Sequence, residues 1–345
     1  MKRTGKLFDA AFTEENLYQA YLDARKGKRR KKACFEFETN LGANLTKLRQ
    51  AILSGTYRPD PYFQFKIYEP KERIIHAPSF KDIVVQHAIY RMIYPIFDRT
   101  FIDASFACRK GKGTHMARDY TQLALRKYDG ENYTLKLDIR KFFYSIDRGI
   151  LRQLIECKIK DVRFVGIMMM FAEHEQPTGI PIGNLLSQIY ALIYMNPVDQ
   201  FVKRELKIRH YCRYVDDFVL FGLTRDQCQQ HLASIVIFIR DYLRLTLSKF
   251  TIQKIRRGIN FVGYRTWRSR IVIRKHSLFK FKRRCEKADQ AAVISILGHA
   301  KRTNSLPRLI SIIKEAIRNG KNLFLPDSYR RIYEPQSQRA ALCSG

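Results

Sequence analysis

The chain has 345 residues, 64 Lys+Arg against 32 Asp+Glu, and a formal net charge of +32. That length allows a full core and two or three subdomains, and the charge is an electrostatic footprint for a polyanion, nucleic acid above all. No apolar run is long enough to cross a bilayer, the densest being Val165 to Ala172, and the basic N-terminus lacks a signal-peptide core. Seven cysteines without a CxxC pair read as reduced intracellular thiols, which argues against a disulfide frame or zinc site.

Thr13 to Ala24 has amphipathic helical spacing, with Thr13 as N-cap. It runs into Arg25-Lys26-Gly27-Lys28-Arg29-Arg30-Lys31-Lys32, a block that repels itself unless a polyanion neutralises it. A second helix covers Leu41 to Ser54. Phe63 to Tyr68 and Arg73 to His76 alternate like strands around Pro70-Lys71-Glu72, predicting a hairpin. Its tip carries Lys66, Lys71 and Arg73, which suit either a triphosphate clamp or a solvated surface. Ser79 to Asp98 reads as a long helix burying Val84, Val85, Ala88, Ile89, Met92 and Ile93. The loop from Ser105 to Thr114 lacks the first glycine of a P-loop, Phe106 standing there, yet its basic, glycine-rich character suits phosphate contact.

Tyr133 to Ile139 is a strand with Tyr133, Leu135 and Leu137 on one face and Asp138 on the other. Asp147 caps a helix from Arg148 to Lys158, and a further helix covers Val162 to Glu173. Glu173-His174-Glu175 is too compact for a metal site. Gly179 to Gln188 is a glycine turn feeding a helix that ends near Glu205. His210 to Gly222 then sets Asp216-Asp217 between two aromatic-rich strands, and Asp226 to Asp241 is helical. From Tyr242 to Cys285 there is no acid and 14 residues are Lys or Arg. Within that run Ile259 to Trp267 reads as one strand, and from His276 onward the chain is helical with a break at Thr303 to Pro307. The run reads as a nucleic-acid track, with Tyr264, Trp267, Phe279 and Phe281 available to pack or stack.

Paired acids at a turn resist joint ionisation unless a cation sits between them. Together with Asp138 at a strand end, Asp216 and Asp217 match what two-metal phosphoryl transfer requires. In that chemistry, carboxylates on adjacent strands hold two cations about 3.5–4 Å apart, which activate a hydroxyl and neutralise a leaving pyrophosphate. Short Asp side chains suit Mg²⁺, two ions of it, with Mn²⁺ as a substitute.

The ordered set resembles the reverse transcriptase family from about Tyr62 to Trp267. Tyr214-Val215-Asp216-Asp217 is similar to the YxDD box, and Leu137-Asp138-Ile139-Arg140-Lys141-Phe142-Phe143 to the first carboxylate motif. The resemblance implies Asp138, Asp216 and Asp217 as catalytic residues, metal on Asp138, Ile139, Asp216 and Asp217, and Phe143 as a steric gate against the ribose 2′-OH. It implies a nucleotide site of Lys71, Arg73, Phe143, Ile182, Gly183, Gln188 and Lys249, and a primer-grip strand with Phe261, Gly263 and Tyr264. The nucleic-acid track takes in Arg109, Lys112, Arg256, Arg257, Arg265, Arg283 and Arg284. The implied architecture is α+β, a right-hand polymerase fold with fingers, a βαββ-like palm carrying the YxDD hairpin, and a basic helical thumb. Its segments are an N-terminal basic helical extension (1–60), fingers (61–132), palm (133–265, with 148–180 interleaved) and thumb (266–345).

The usual QGxxxSP box reads Ile182-Gly183-Asn184-Leu185-Leu186-Ser187-Gln188 here. That form, with Lys112-Gly113-Thr114-His115, Val84-Val85-Gln86-His87-Ala88 and Gly298-His299-Ala300, resembles reverse transcriptases of diversity-generating retroelements. The implied function is RNA-directed DNA synthesis that copies a template-repeat RNA, from a DNA primer and dNTPs, into error-prone cDNA for mutagenic retrohoming. A small basic pentameric accessory protein is the implied partner, and the bacterial or phage-encoded chain is expected in the cytoplasm. Gln at position 182 could hydrogen-bond near the sugar, whereas Ile only packs, so Ile182 is expected to lower fidelity. The alternatives are an intron-encoded or phage-defence reverse transcriptase, or a non-catalytic RNA-binding protein on a polymerase fold.

Overall fold

The computed structural model describes residues 3–68, 72–173 and 175–329. These form two compact units, Met1–Gly113 with Leu135–Ile252, and Thr114–Thr134 with Gln253–Gly345. The first begins with helices α1 (Leu7–Ala11), α2 (Glu14–Ala24), α3 (Lys32–Thr39) and α4 (Leu41–Leu53). The Thr13 hydroxyl accepts the Asn16 N–H and starts α2 where the sequence pattern put it. Neither α1 nor α3 was expected, because five and eight residues are too few turns to show a stripe.

Strands β1 (Phe63–Ile67) and β2 (Arg73–Ala77) pair antiparallel, from Phe63 opposite Ala77 to Ile67 opposite Arg73. The expected hairpin is present, and Lys71 lies outside the described residues. Helix α5 (Phe80–Asp98) buries Val84, Val85, Ala88, Ile89 and Ile93. Its buried Asp82 accepts hydrogen bonds from the Tyr57 hydroxyl at 2.5 Å, the Asp60 N–H at 2.8 Å and the Ser79 hydroxyl at 2.9 Å. Those three donors compensate the buried carboxylate and pin the chain that leads into β1.

After α6 (Thr114–Arg126) come β3 (Tyr133–Ile139), α7 (Phe142–Ser145), α8 (Arg148–Glu156), α9 (Val162–Met170) and α10 (Leu185–Gln200), which passes into a π-helical turn, Phe201–Glu205. Then follow β4 (Tyr211–Tyr214), β5 (Asp217–Leu223), α11 (Arg225–Leu243) and β6 (Leu247–Lys254). The four strands form one sheet in the order β4-β5-β3-β6. Strand β6 was not expected, since only Phe250 and Ile252 alternate along it and none of its residues is fully buried.

The second unit carries a three-stranded antiparallel sheet of β7 (Ile259–Phe261), β8 (Tyr264–Thr266) and β9 (Ile271–Ile273). Against it pack α12 (Lys275–Glu286), α13 (Gln290–Ala300) and α14 (Leu306–Arg318), around Phe281, Leu297, Leu309 and Ile313. The single strand expected over Ile259 to Trp267 is a hairpin instead. Val262 and Gly263, at φ 43° and 90°, fold the chain back between β7 and β8. Helix α6 belongs to this unit, where the sequence placed it in the segment 61–132.

Candidate active site

Alternation along β3 buries Leu135, Leu137 and Ile139 and leaves Lys136 and Asp138 half-buried on the opposite face. Strands β4 and β5 pair from Tyr211 opposite Leu220 to Tyr214 opposite Asp217, so their connection is the two residues Val215 and Asp216. Val215 has φ 57°, a sterically disfavoured conformation for a β-branched side chain. The Ile139 N–H donates to the Asp216 carbonyl at 3.3 Å, which joins this tip to the end of β3.

Burial pushes the Asp216 carboxyl up to about 6, and the charges of Asp138 and Asp217 add to the rise while Arg73 opposes it. The expected triphosphate residue Arg73 is thus within electrostatic reach of the acidic tip. Asp217 is paired differently, its Oδ2 lying 2.8 Å from the Lys136 Nζ. Among the described residues no group of three or more His, Cys, Asp or Glu is arranged to hold a metal ion. Lys136 holds Asp217, while both Asp138 and Asp217 lie within electrostatic reach of Asp216, in keeping with the expectation that Asp217 is the more peripheral support.

Past β3 the chain reverses at Lys141, φ 44°, and seats Phe142 in the core against Tyr194. Phe143 is half-buried, edge-on to Phe142 with ring centroids 5.5 Å apart. The glycine turn is strung between this segment and β2. The Phe143 carbonyl accepts the Ile180 N–H at 2.9 Å, and the Ile182 carbonyl accepts the His76 N–H at 2.7 Å. Gly183, at φ 122°, passes so close that a Cβ would lie 2.7 Å from the His76 carbonyl oxygen. Ile182 is half-buried and Gln188 exposed.

Helix α10 is capped from another element. The Gln86 side-chain oxygen accepts the Leu185 N–H at 2.9 Å and the Leu186 N–H at 3.4 Å. Asn184 sits at the N-cap position, and its amide donates to the Tyr62 hydroxyl at 2.7 Å and the Phe171 carbonyl at 3.2 Å. Lys249 is exposed on β6 and lines an open groove with Leu232, Val236 and Phe250.

Several residues expected to touch nucleic acid are engaged inside the protein. Arg109 is 6% exposed, paired with Asp98 at 2.6 Å and bonded to the carbonyls of Ile102 and Ser105, so it braces its loop. Lys112 donates to the Asp103 carbonyl and lies over the Phe106 ring. In the second unit Phe261, Tyr264 and Phe281 are core side chains, so of the aromatics expected to pack or stack, Tyr264 and Phe281 pack. Tyr264 stacks on His299 at 4.2 Å, its hydroxyl donates to the His299 carbonyl at 2.7 Å, and the Arg118 guanidinium lies 5.2 Å from its ring. Trp267 is flanked by the guanidiniums of Arg265 and Arg270 at 5.0 Å and 4.5 Å. Arg256, Arg257, Arg265 and Arg283 are exposed, and Arg284 is half-buried against Asp289 at 2.9 Å.

The profile of the reverse transcriptase (RNA-dependent DNA polymerase) family matches residues 66–266. The chain belongs to that family. Protein YkfC of Escherichia coli K12 is 25% identical over 288 residues, covering 68% of this chain and 74% of YkfC. The group II intron-encoded protein LtrA of Lactococcus lactis subsp. cremoris is 29% identical over 170 residues, 46% of this chain and 28% of LtrA. A solved telomerase of Candida albicans, in complex with a fragment of telomeric RNA, superposes with TM-score 0.47 at 13% identity, over 79% of this chain and 58% of that one.

Two residues of this reverse transcriptase matter to the site in roles that the sequence did not assign to them. Lys136 stands two positions before Asp138 on the same strand face, so strand parity alone marks it as a neighbour of the acidic tip. Gln86 gives only a weak signal, one buried amide in an apolar helix stripe, and its capping role appears only once α10 is beside it.

Proposed function

We propose that this reverse transcriptase extends a DNA primer along an RNA template by two-metal nucleotidyl transfer, with Asp138 and Asp216 as the principal ligands and Asp217 as a support held by Lys136. The observation that carries this reading is the half-buried Asp216 carboxyl at the tip bonded to the end of β3, pushed up to about 6 by burial and by Asp138 and Asp217. Such a site is short of positive charge, and its hard oxygen donors suit Mg²⁺, with the Ile139 backbone as an additional oxygen source. When bound, two such ions activate the primer 3′-hydroxyl and neutralise the departing pyrophosphate. Arg73 supplies bidentate donors to the triphosphate, Phe143 sets its ring against a ribose 2′-OH, and the exposed arginines of the second unit track the phosphate backbone.

The diversity-generating subtype is part of the same proposal, supported by Ile182 and Gln188 in the box where most relatives carry Gln and Pro. The template-repeat RNA, errors opposite adenine, retrohoming and the small basic pentameric partner all belong to this reading. The likeness to LtrA favours an intron-type enzyme as the alternative. Primer extension on RNA, with the products sequenced, separates the two. Excess errors opposite adenine that fall in Ile182→Gln support the subtype, and an accurate wild-type product removes it. Extension unchanged in Asp216→Asn would sink the catalytic assignment itself.

A further inference from the structure

A fully buried ion pair lies behind the acidic turn and has no part in the chemistry described so far. Asp199, near the end of α10, and Arg213, on β4, both have 0% side-chain exposure. Arg213 Nε donates to Asp199 Oδ1 at 2.7 Å and Nη2 to Oδ2 at 2.6 Å, and the Tyr211 hydroxyl donates to Oδ1 at 2.8 Å. Nη1 donates to the Val215 carbonyl at 2.9 Å. The Arg213 main chain is held as well, its N–H donating to Ala104 at 2.9 Å and its carbonyl accepting from Phe106 at 3.0 Å.

Stability alone does not account for this pair, because apolar side chains of similar volume commonly serve a core equally well or better. What apolar residues cannot provide is a rigid donor aimed at one carbonyl. That carbonyl belongs to Val215, whose φ of 57° is unfavourable for a β-branched residue and sets the direction of Asp216.

We propose that Arg213 is a positioning residue for the polymerase reaction. Two arms of its guanidinium are fixed by Asp199, and the third holds the Val215 carbonyl so that the turn stays left-handed and presents Asp216. The proposal rests on Asp216 taking part in the chemistry.

The test uses the full chain. Arg213→Lys keeps the charge but loses the fork, and the triple variant Asp199→Leu/Tyr211→Phe/Arg213→Met removes both charges together. Primer-extension kinetics, thermal melting and hydrogen exchange of the segment 211–221 are measured on each. A folded variant should lose roughly 10- to 100-fold in kcat, with the dNTP KM within about threefold, since a misplacement near 1 Å has that effect. Exchange should quicken at the turn. Adding Val215→Gly should restore roughly fivefold or more, because glycine adopts positive φ without a Cβ penalty. A kcat near wild type in a folded variant, no rescue by Val215→Gly, or loss of the fold in both variants overturns the proposal. Full activity in Asp216→Asn would instead overturn the reading on which it rests.

Discussion

Two tight turns in this protein share a backbone problem and solve it with different chemistry. Val215-Asp216 and Val262-Gly263 are each a two-residue connection whose first residue is a valine at positive φ, 57° and 43°. At the first, only Val215 is left-handed, a type II′-like pattern, and the Arg213 guanidinium bonded to its carbonyl supports it. At the second both residues are left-handed, and the support is a ring: His299 packs where a Gly263 Cβ would stand, 2.8 Å from its Nε2. The first turn presents a carboxylate whose charge is disfavoured by burial and by Asp138 and Asp217, while the second sits over an apolar core in an arginine-rich unit. On the proposed function, similar local strain serves chemical reactivity in one place and packing in the other.

Asp216→Asn tests the contrast most strongly. Primer extension should fall roughly 10³-fold, the several kcal/mol that metal-assisted charge stabilisation supplies. The melting temperature in EDTA should rise, because burial, Asp138 and Asp217 all disfavour the Asp216 charge. A lowered melting temperature would break the distinction between a reactive turn and a packing turn.

Gly263→Ala should act in the opposite sense. With φ 90° and a Cβ 2.8 Å from His299, it should destabilise by about 1–3 kcal/mol. His299→Ala in the same chain should recover part of that loss, and additive melting data would show that the two positions are uncoupled. Asp217→Asn is a smaller test within the first turn: roughly tenfold in kcat, or about 1.4 kcal/mol. Because the Lys136–Asp217 ion pair is then lost, the melting temperature should fall here, opposite to Asp216→Asn.

Acid should separate the turns by the smallest amount. Burial holds His299 below the ordinary histidine value, and His115, Arg118 and Arg274 oppose its protonation while the Gly263 backbone favours it. The unfolded chain therefore binds the proton more readily, so stability present above about pH 6.5 is lost as pH falls through the lower folded value. Melting curves between pH 7.5 and roughly pH 5 should show a slope that flattens in His299→Gln. An unchanged slope would remove His299 from the support of the second turn.

Much of the acidic site was legible in the sequence because its signals are local. Strand parity separates Asp138 from Leu135 and Leu137, and an Asp-Asp between aromatic runs marks a hairpin tip. Ile259 to Trp267 was misread as one strand although Gly263 interrupts it, a position where glycine signals a bend. Arg109 and Lys112, grouped with the nucleic-acid track, bind their own loop, and within the basic run Tyr264 and Phe281 fill a core. Composition counts charges and rings without saying which way they face.

The sequence by itself determined the charge excess, the acidic turn and the strand that carries Asp138, since turn propensity and alternation depend on adjacent residues. Only the tertiary structure decided that Lys136 takes Asp217, that Gln86 caps a helix 99 residues further along, and that Arg213 reaches both Asp199 and Val215. Those contacts exist because buried polar groups must find partners, and the nearest partner in space is set by packing rather than by sequence distance.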